Sequence, residues 1–121
     1  MAKSDTATAG SKISQEGDVT ISDLVIAKLA GRAARATYGV IRMHHSPMRK
    51  IARFLRDSLS EGVEVDVEQG RARIVLHVIM ERGINLAQVT ANIQRQVRYE
   101  VEQVAGIAVS EISVRVEDLH E

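Results

Sequence analysis

Cysteine and tryptophan are absent from this 121-residue chain, proline occurs once, and Phe54, Tyr38 and Tyr99 are its only aromatics. Without cysteine there is no disulfide framework, no thiolate zinc site and no thiol nucleophile, and the composition fits a reducing cytoplasm. With so few rings the core has to be aliphatic, built from Val, Ile, Leu and Ala. No apolar run approaches the ~18 residues of a spanning helix, and the N-terminus carries no apolar signal-like region. Acid is missing over one long stretch. Between Asp23 and Asp57 there is none, while Lys28, Arg32, Arg35, Arg42, Arg49, Lys50, Arg53 and Arg56 all fall there. From Ser58 onward acids outnumber bases, so a formal net charge of zero conceals one positive end or face.

What is present organises itself around a hairpin. Val63, Val65 and Val67 alternate with Glu64, Asp66 and Glu68, a period of two that predicts a half-buried strand. After Gln69-Gly70 the alternation resumes, with Ala72, Ile74, Leu76, Val78 and Met80 on one face. A two-residue turn there sets Glu68 opposite Arg71, Asp66 opposite Arg73, Val67 opposite Ala72, Val65 opposite Ile74 and Val63 opposite Leu76. One register thus satisfies the apolar and the charged face together. Gln is not the usual first residue of such a turn, so a longer or bulged loop is the alternative.

The remaining elements follow in order. Residues 1–16, rich in Ala, Ser, Thr, Lys and Gly, read as a disordered tail, and residues 17–118 as a single domain, since the length allows one real core and not two. Asp18-Val-Thr-Ile is a short strand. Ser22 caps a helix from Asp23 to about Ala36, with Val25, Ile26, Leu29, Ala30 and Ala33 as its buried stripe. Val40-Ile-Arg-Met is a second strand. Ser46-Pro47 opens a second helix with Met48, Ile51, Ala52, Leu55 and Leu59 inward and Arg49, Lys50, Arg53 and Arg56 outward. Beyond the hairpin, Asn85 caps a helix whose Leu86, Val89, Ile93, Val97, Val101 and Val104 recur at spacings of three and four, ended by Gly106. A last strand, from about Ile107 to Glu117, turns Ile112, Val114 and Val116 inward. The order β-α-β-α-β-β-α-β predicts an α+β domain with one mixed sheet and helices packed on a face.

Catalytic patterns are not evident. Adjacent His44 and His45 point apart on a strand, and His77 and His120 lie far off in sequence, which predicts no metal site. His77 falls on the charged side of its strand and is expected at the surface. There is no nucleophile elbow and no glycine-rich phosphate loop, and the paired acids have cross-strand partners. No enzyme activity and no cofactor are predicted. The candidate interaction surface is the basic one: Arg32, Arg35, Arg49, Lys50, Arg53 and Arg56. An acidic protein partner, an anionic lipid surface and a nucleic acid all suit it. A nucleic-acid-binding module using Lys28–Arg56 is the alternative reading, weakened by the scarcity of stacking aromatics.

Three stretches together resemble the alkaline shock protein family of general, or envelope, stress response proteins. They are Gly17-Asp-Val-Thr-Ile-Ser-Asp-Leu-Val-Ile-Ala-Lys-Leu-Ala-Gly-Arg-Ala-Ala with Tyr38-Gly-Val, then Ile74-Val-Leu-His-Val-Ile-Met-Glu-Arg-Gly-Ile-Asn-Leu-Ala-Gln-Val, and Gly106-Ile-Ala-Val-Ser-Glu-Ile-Ser-Val-Arg-Val-Glu. The resemblance implies a bacterial, non-catalytic cytoplasmic α+β protein associated with envelope stress. It implies a scaffold or adaptor held at the inner membrane face by membrane-anchored protein partners, with self-association in some members. Here Ile41 to Pro47 replaces a Gly-rich link of the family, and Arg82 replaces a tyrosine before Gly83.

Overall fold

The computed structural model describes residues 11–14, 18–44 and 61–120. They form an α+β domain whose organising element is one long strand. Strands β1 (Ser11–Ser14) and β2 (Asp18–Ile21) precede helix α1 (Asp23–Arg35) and strand β3 (Val40–Met43). Strands β4 (Val63–Glu68) and β5 (Arg71–Glu81) form the hairpin. Helix α2 (Leu86–Tyr99) runs into a π-helical segment, Glu100–Ala105, and strand β6 (Ala108–His120) closes the chain. The expected second helix, with its basic face, falls on residues 45–60 and lies outside the described residues.

The β4–β5 register is the one the alternation demands. Val63 faces Leu76, Val65 faces Ile74, Val67 faces Ala72, and the oppositely charged positions Asp66/Arg73 and Glu68/Arg71 stand opposite each other. Gln69 and Gly70 both take positive φ, 52° and 75°. That is the backbone of a tight primed turn, whose twist matches that of the strands it joins. A β-branched or bulky residue would resist this geometry; Gln tolerates it at a modest cost because its apolar neighbours are already locked in register.

β5 is paired along both edges. β6 runs parallel to it from Arg71/Ala108 to Glu81/His120, with irregularities at Ser110 and Glu117. On the other edge, β4 covers Arg71 to Leu76 and β3 covers Val78 to Met80, both antiparallel and end to end. The sheet is therefore mixed. The two edge strands meet at His77, whose backbone N–H donates to the Gly62 carbonyl at 2.8 Å and whose carbonyl accepts from the His44 N–H at 2.7 Å. Gly62, with φ of 79°, sits tightly there, since an added Cβ would lie 2.8 Å from the His44 carbonyl oxygen and 2.9 Å from Met43 Cβ. Only glycine meets both demands.

Ile74, Leu76, Val78 and Met80 point to one face of the sheet and are fully buried against Ile26, Ala27, Ala30, Ile93, Val97 and Val101. Val65 packs on the same cluster, so the hairpin and the helix after Asn85 share one core, as the periodicities require. α1 begins at Ser22, whose hydroxyl accepts from the Val25 N–H at 3.4 Å. Its buried face differs from the expected one: Ile26, Ala27, Ala30, Gly31, Ala33 and Ala34 are buried, and Val25 is exposed. Small residues let α1 approach its neighbours closely, so packing turns the Ala/Gly side inward at the expense of Val25.

Two further expectations are corrected. β2 pairs with β1, from Ser11/Ile21 to Ser14/Asp18, in a two-stranded sheet separate from the four-stranded one. The single sheet is thus two, and part of the tail expected over residues 1–16 is a strand. Backbone pairing draws on N–H and C=O groups that every residue carries, so composition does not register it. On α2, Val104 is 61 % exposed while Ala105 is buried. The buried positions Val89, Ile93, Val97, Val101 and Ala105 step by four, and on a 3.6-residue helix each such step overshoots a turn by about 40°. The π-helical segment, with more residues per turn, absorbs that drift and returns Ala105 to the core. Arg98 and Glu102 then grip the start of β6: Arg98 Nη1 donates to the Val109 carbonyl at 2.9 Å, and Glu102 Oε2 accepts from the Val109 N–H at 3.1 Å.

Candidate interaction groove

α1 and α2 pack side by side, and a groove opens where the C-terminal turn of α1 faces the polar side of α2. Four residues, Ala36 to Gly39, carry the chain from α1 to β3. The Ala36 N–H donates to the Arg32 carbonyl at 3.1 Å, and the buried Thr37 hydroxyl donates to the Ala33 carbonyl at 3.0 Å, satisfying acceptors that a helix end leaves open. Val40 then pairs into the sheet. This reversal leaves Tyr38 projecting, 78 % exposed.

α2 is fixed from its first turn, where Asn85 Oδ1 accepts from the Gln88 N–H at 3.0 Å. With Val89, Ile93 and Val97 turned into the core, Asn92, Arg95, Gln96 and Tyr99 share the helix face adjoining that stripe. Tyr99 is 61 % exposed. Both tyrosines of the chain thus stand outside the core, around the same two helix ends.

The resulting cleft has a volume of ≈ 450 Å³ and is lined by Arg32, Ala33, Ala36, Thr37, Tyr38, Asn92, Arg95, Gln96 and Glu100. Two guanidinium groups and one carboxylate line it, and no ion pair joins them among the described residues. Arg95 donates to the Asn92 side-chain oxygen, which also accepts from Gln88 Nε2 at 3.3 Å. The chemistry on offer is recognition: forked cations, amides, a phenol and a small alanine floor.

Of the predicted surface, Arg32 is exposed and lines this groove. Arg35 is half-buried and already engaged. Arg49, Lys50, Arg53 and Arg56 lie outside the described residues. Within the basic stretch Lys28–Arg56, Arg42 is exposed and paired beside Ile79, on the sheet face away from the helices, so Arg32 and Arg42 do not form one patch. Sequence reasoning missed Arg95, Tyr38, Asn92, Gln96 and Glu100. The available signal was that the only tyrosines flank helix ends outside any apolar stripe.

A second polar cluster lies on the far side of the sheet, and it corrects the surface placement expected for His77. That residue is only 7 % exposed. Its Nδ1 lies 2.7 Å from Glu117 Oε2 on β6, and its Nε2 lies 2.7 Å from Glu64 Oε2 on β4. A neutral ring carries one N–H, so with both carboxyls ionised the two contacts are both hydrogen bonds only when the ring is doubly protonated. The His77 hydrogen bond holds the Glu117 carboxyl below its ordinary pKa, with nearby His44 and Arg115 adding to the effect. At the start of α1, burial and the negative charge of Asp66 push Asp23 the other way. Its Oδ1 is buried without a hydrogen-bond partner among the described residues. Among the described residues, no group of three or more His, Cys, Asp or Glu side chains is placed to hold a metal ion, and no helix is long and apolar enough to cross a membrane.

Comparison with known proteins adds the family. The chain is 34 % identical over 104 residues to the uncharacterized protein YloU of Bacillus subtilis, covering 84 % of this chain and 87 % of that one. It is 28 % identical over 104 residues to the uncharacterized protein Spy1535 of Streptococcus pyogenes serotype M6, covering 85 % and 79 %. Spy1614 of the same organism is 26 % identical over 108 residues, covering 87 % and 89 %. No solved structure matches. The family model that matches, over residues 11–121, is described as the Asp23 family, with a cell envelope-related function (the family's name is unrelated to residue 23 here). The chain belongs to the Asp23 family, and its function is cell envelope-related.

Proposed function

We propose that this protein is a non-catalytic adaptor of the envelope stress response, which works by holding other proteins at the inner face of the membrane. Its working surface is the α1–α2 groove. The observation that carries this reading is where the aromatics stand. A chain with only two tyrosines leaves both outside its core, at 78 % and 61 % exposure, and Tyr38 lines the groove together with Arg32 and Arg95. Tyrosine and arginine are the side chains over-represented where protein interfaces concentrate their binding energy. The family's cell envelope-related function supports the setting, and the stress role and the adaptor role are our extension of it.

The test is site-specific photo-crosslinking in cells under envelope stress. A photoreactive residue replacing Tyr38 is expected to give protein adducts enriched in the envelope fraction. The same residue replacing Glu68, exposed on the hairpin, is the control. Adducts at Tyr38 no stronger than at Glu68 overturn the proposal.

A further inference from the structure

We infer that the α1–α2 groove takes an acidic linear segment of a partner protein, one carboxylate seated between Arg32 and Arg95 and a neighbouring apolar side chain over Ala33 and Ala36. This rests on the adaptor reading and adds the chemistry of its partner.

The fold engages several of its other arginines. Arg73 pairs with Glu111 at 3.3 Å and Arg98 with Glu102 at 3.5 Å, and Arg35 and Arg82 are engaged as well; Arg42, Arg71 and Arg115 make no ion pair among the described residues, but none of them lines this cleft. The chain carries 16 acids for 16 bases, so acids are not scarce. Yet Arg32 makes no ion pair within the described residues, and Arg95 is held only by the Asn92 amide. Two planar donors without a carboxylate therefore face one cleft. Guanidinium forks bind carboxylates through paired charge-assisted hydrogen bonds, which gain strength where helix walls displace water.

Glu100 gives the groove polarity. It repels an incoming carboxylate from its own end and leaves the Arg32/Arg95 side as the favourable seat. The alanine floor leaves room for an aliphatic group beside the acid, and Tyr38 can close over it. A polyanion is a poorer fit. Two cations with a carboxylate in the same cleft make no continuous basic track for a nucleic-acid backbone, and a recessed cleft is not the flat cationic face that suits a lipid surface.

The experiment measures fluorescence anisotropy of the full chain with a labelled peptide of glutamate and leucine. Its counterpart has every glutamate replaced by glutamine. Amide chemical shifts locate the site. The glutamate peptide is expected to bind saturably, to shift residues of the 32–38 and 92–100 stretches, and to weaken as salt is added. Arg32→Ala and Arg95→Ala should each weaken it roughly tenfold or more, the scale of a lost charge-assisted hydrogen bond. Both side chains are exposed, so neither change threatens folding, and thermal melting checks this. Equal binding of the glutamine peptide, no loss on either substitution, or stronger binding to phosphatidylglycerol vesicles or oligo-dT overturns the inference. If adducts form at Tyr38 in cells but the peptide does not bind, the adaptor reading survives and this inference fails. Peptide binding in the groove without adducts in cells reverses that outcome.

Discussion

At the scale of single residues, the informative groups are carboxylates whose pKa values move in opposite directions. Glu117 is held low by the hydrogen bond from His77. Its folded state therefore binds the proton more weakly than the unfolded chain, and its stabilising contribution is complete above the ordinary carboxylate range. That contribution disappears as pH falls through the depressed value. Asp23 is raised by burial and by Asp66, so its ionisation costs stability, and acid relieves the cost. Urea unfolding across pH should show Glu117→Gln less stable than the parent at neutral pH, with the gap closing in acid. A gap independent of pH would show that His77 and Glu117 do not interact as their 2.7 Å contact implies. His77→Ala removes the partner of both carboxylates and should cost about 2 kcal/mol, since a group hydrogen-bonded to charge is lost from a buried site.

At the scale of elements, the junction of α2 with its π-helical continuation sets which valine matters. Val101 is fully buried and Val104 largely exposed, although either one continues the apolar spacing of the helix. Truncating Val101 to Ala removes methyl groups from a packed core and should cost about 1–2 kcal/mol, whereas Val104→Ala should fall within about 0.5 kcal/mol of the parent. Equal effects in chemical denaturation would show that the helix runs on regularly past Tyr99. The hairpin behaves differently, because its register follows from two faces that agree. Gly62 belongs to this scale too, since it lets β4 begin beside the end of β3 without a side chain between them.

For the whole molecule, β5 is the strand on which everything else is assembled. It has hydrogen-bonded neighbours on both edges and its inward side chains under both helices. Native-state hydrogen exchange should find the amides from Ala72 to Met80 among the slowest, opening only with global unfolding, and those of the β1–β2 hairpin far faster. Comparable rates in the two regions would contradict this hierarchy. The same assembly separates two polar sites. The His77 cluster lies on the sheet face away from the helices and joins three strands, while the groove lies between the helices and its Arg32, Tyr38 and Arg95 side chains are exposed. Substitutions in the groove can therefore change binding without unsettling the fold.

The sequence by itself determined what depends on neighbours along the chain. The β4–β5 register, the Ser22 and Asn85 caps, the start of α1 and the aliphatic core all follow from periodicity and short-range hydrogen bonding. Tertiary structure decided what depends on distant partners. His77 looked like a surface residue because its binding partners, Glu64 and Glu117, are 13 and 40 positions away. The parallel placement of β6 that brings Glu117 into reach leaves no mark on local alternation. The groove has the same origin. Arg32 and Tyr38 come from one helix end and Arg95 from another helix, and only packing sets them around a common cleft.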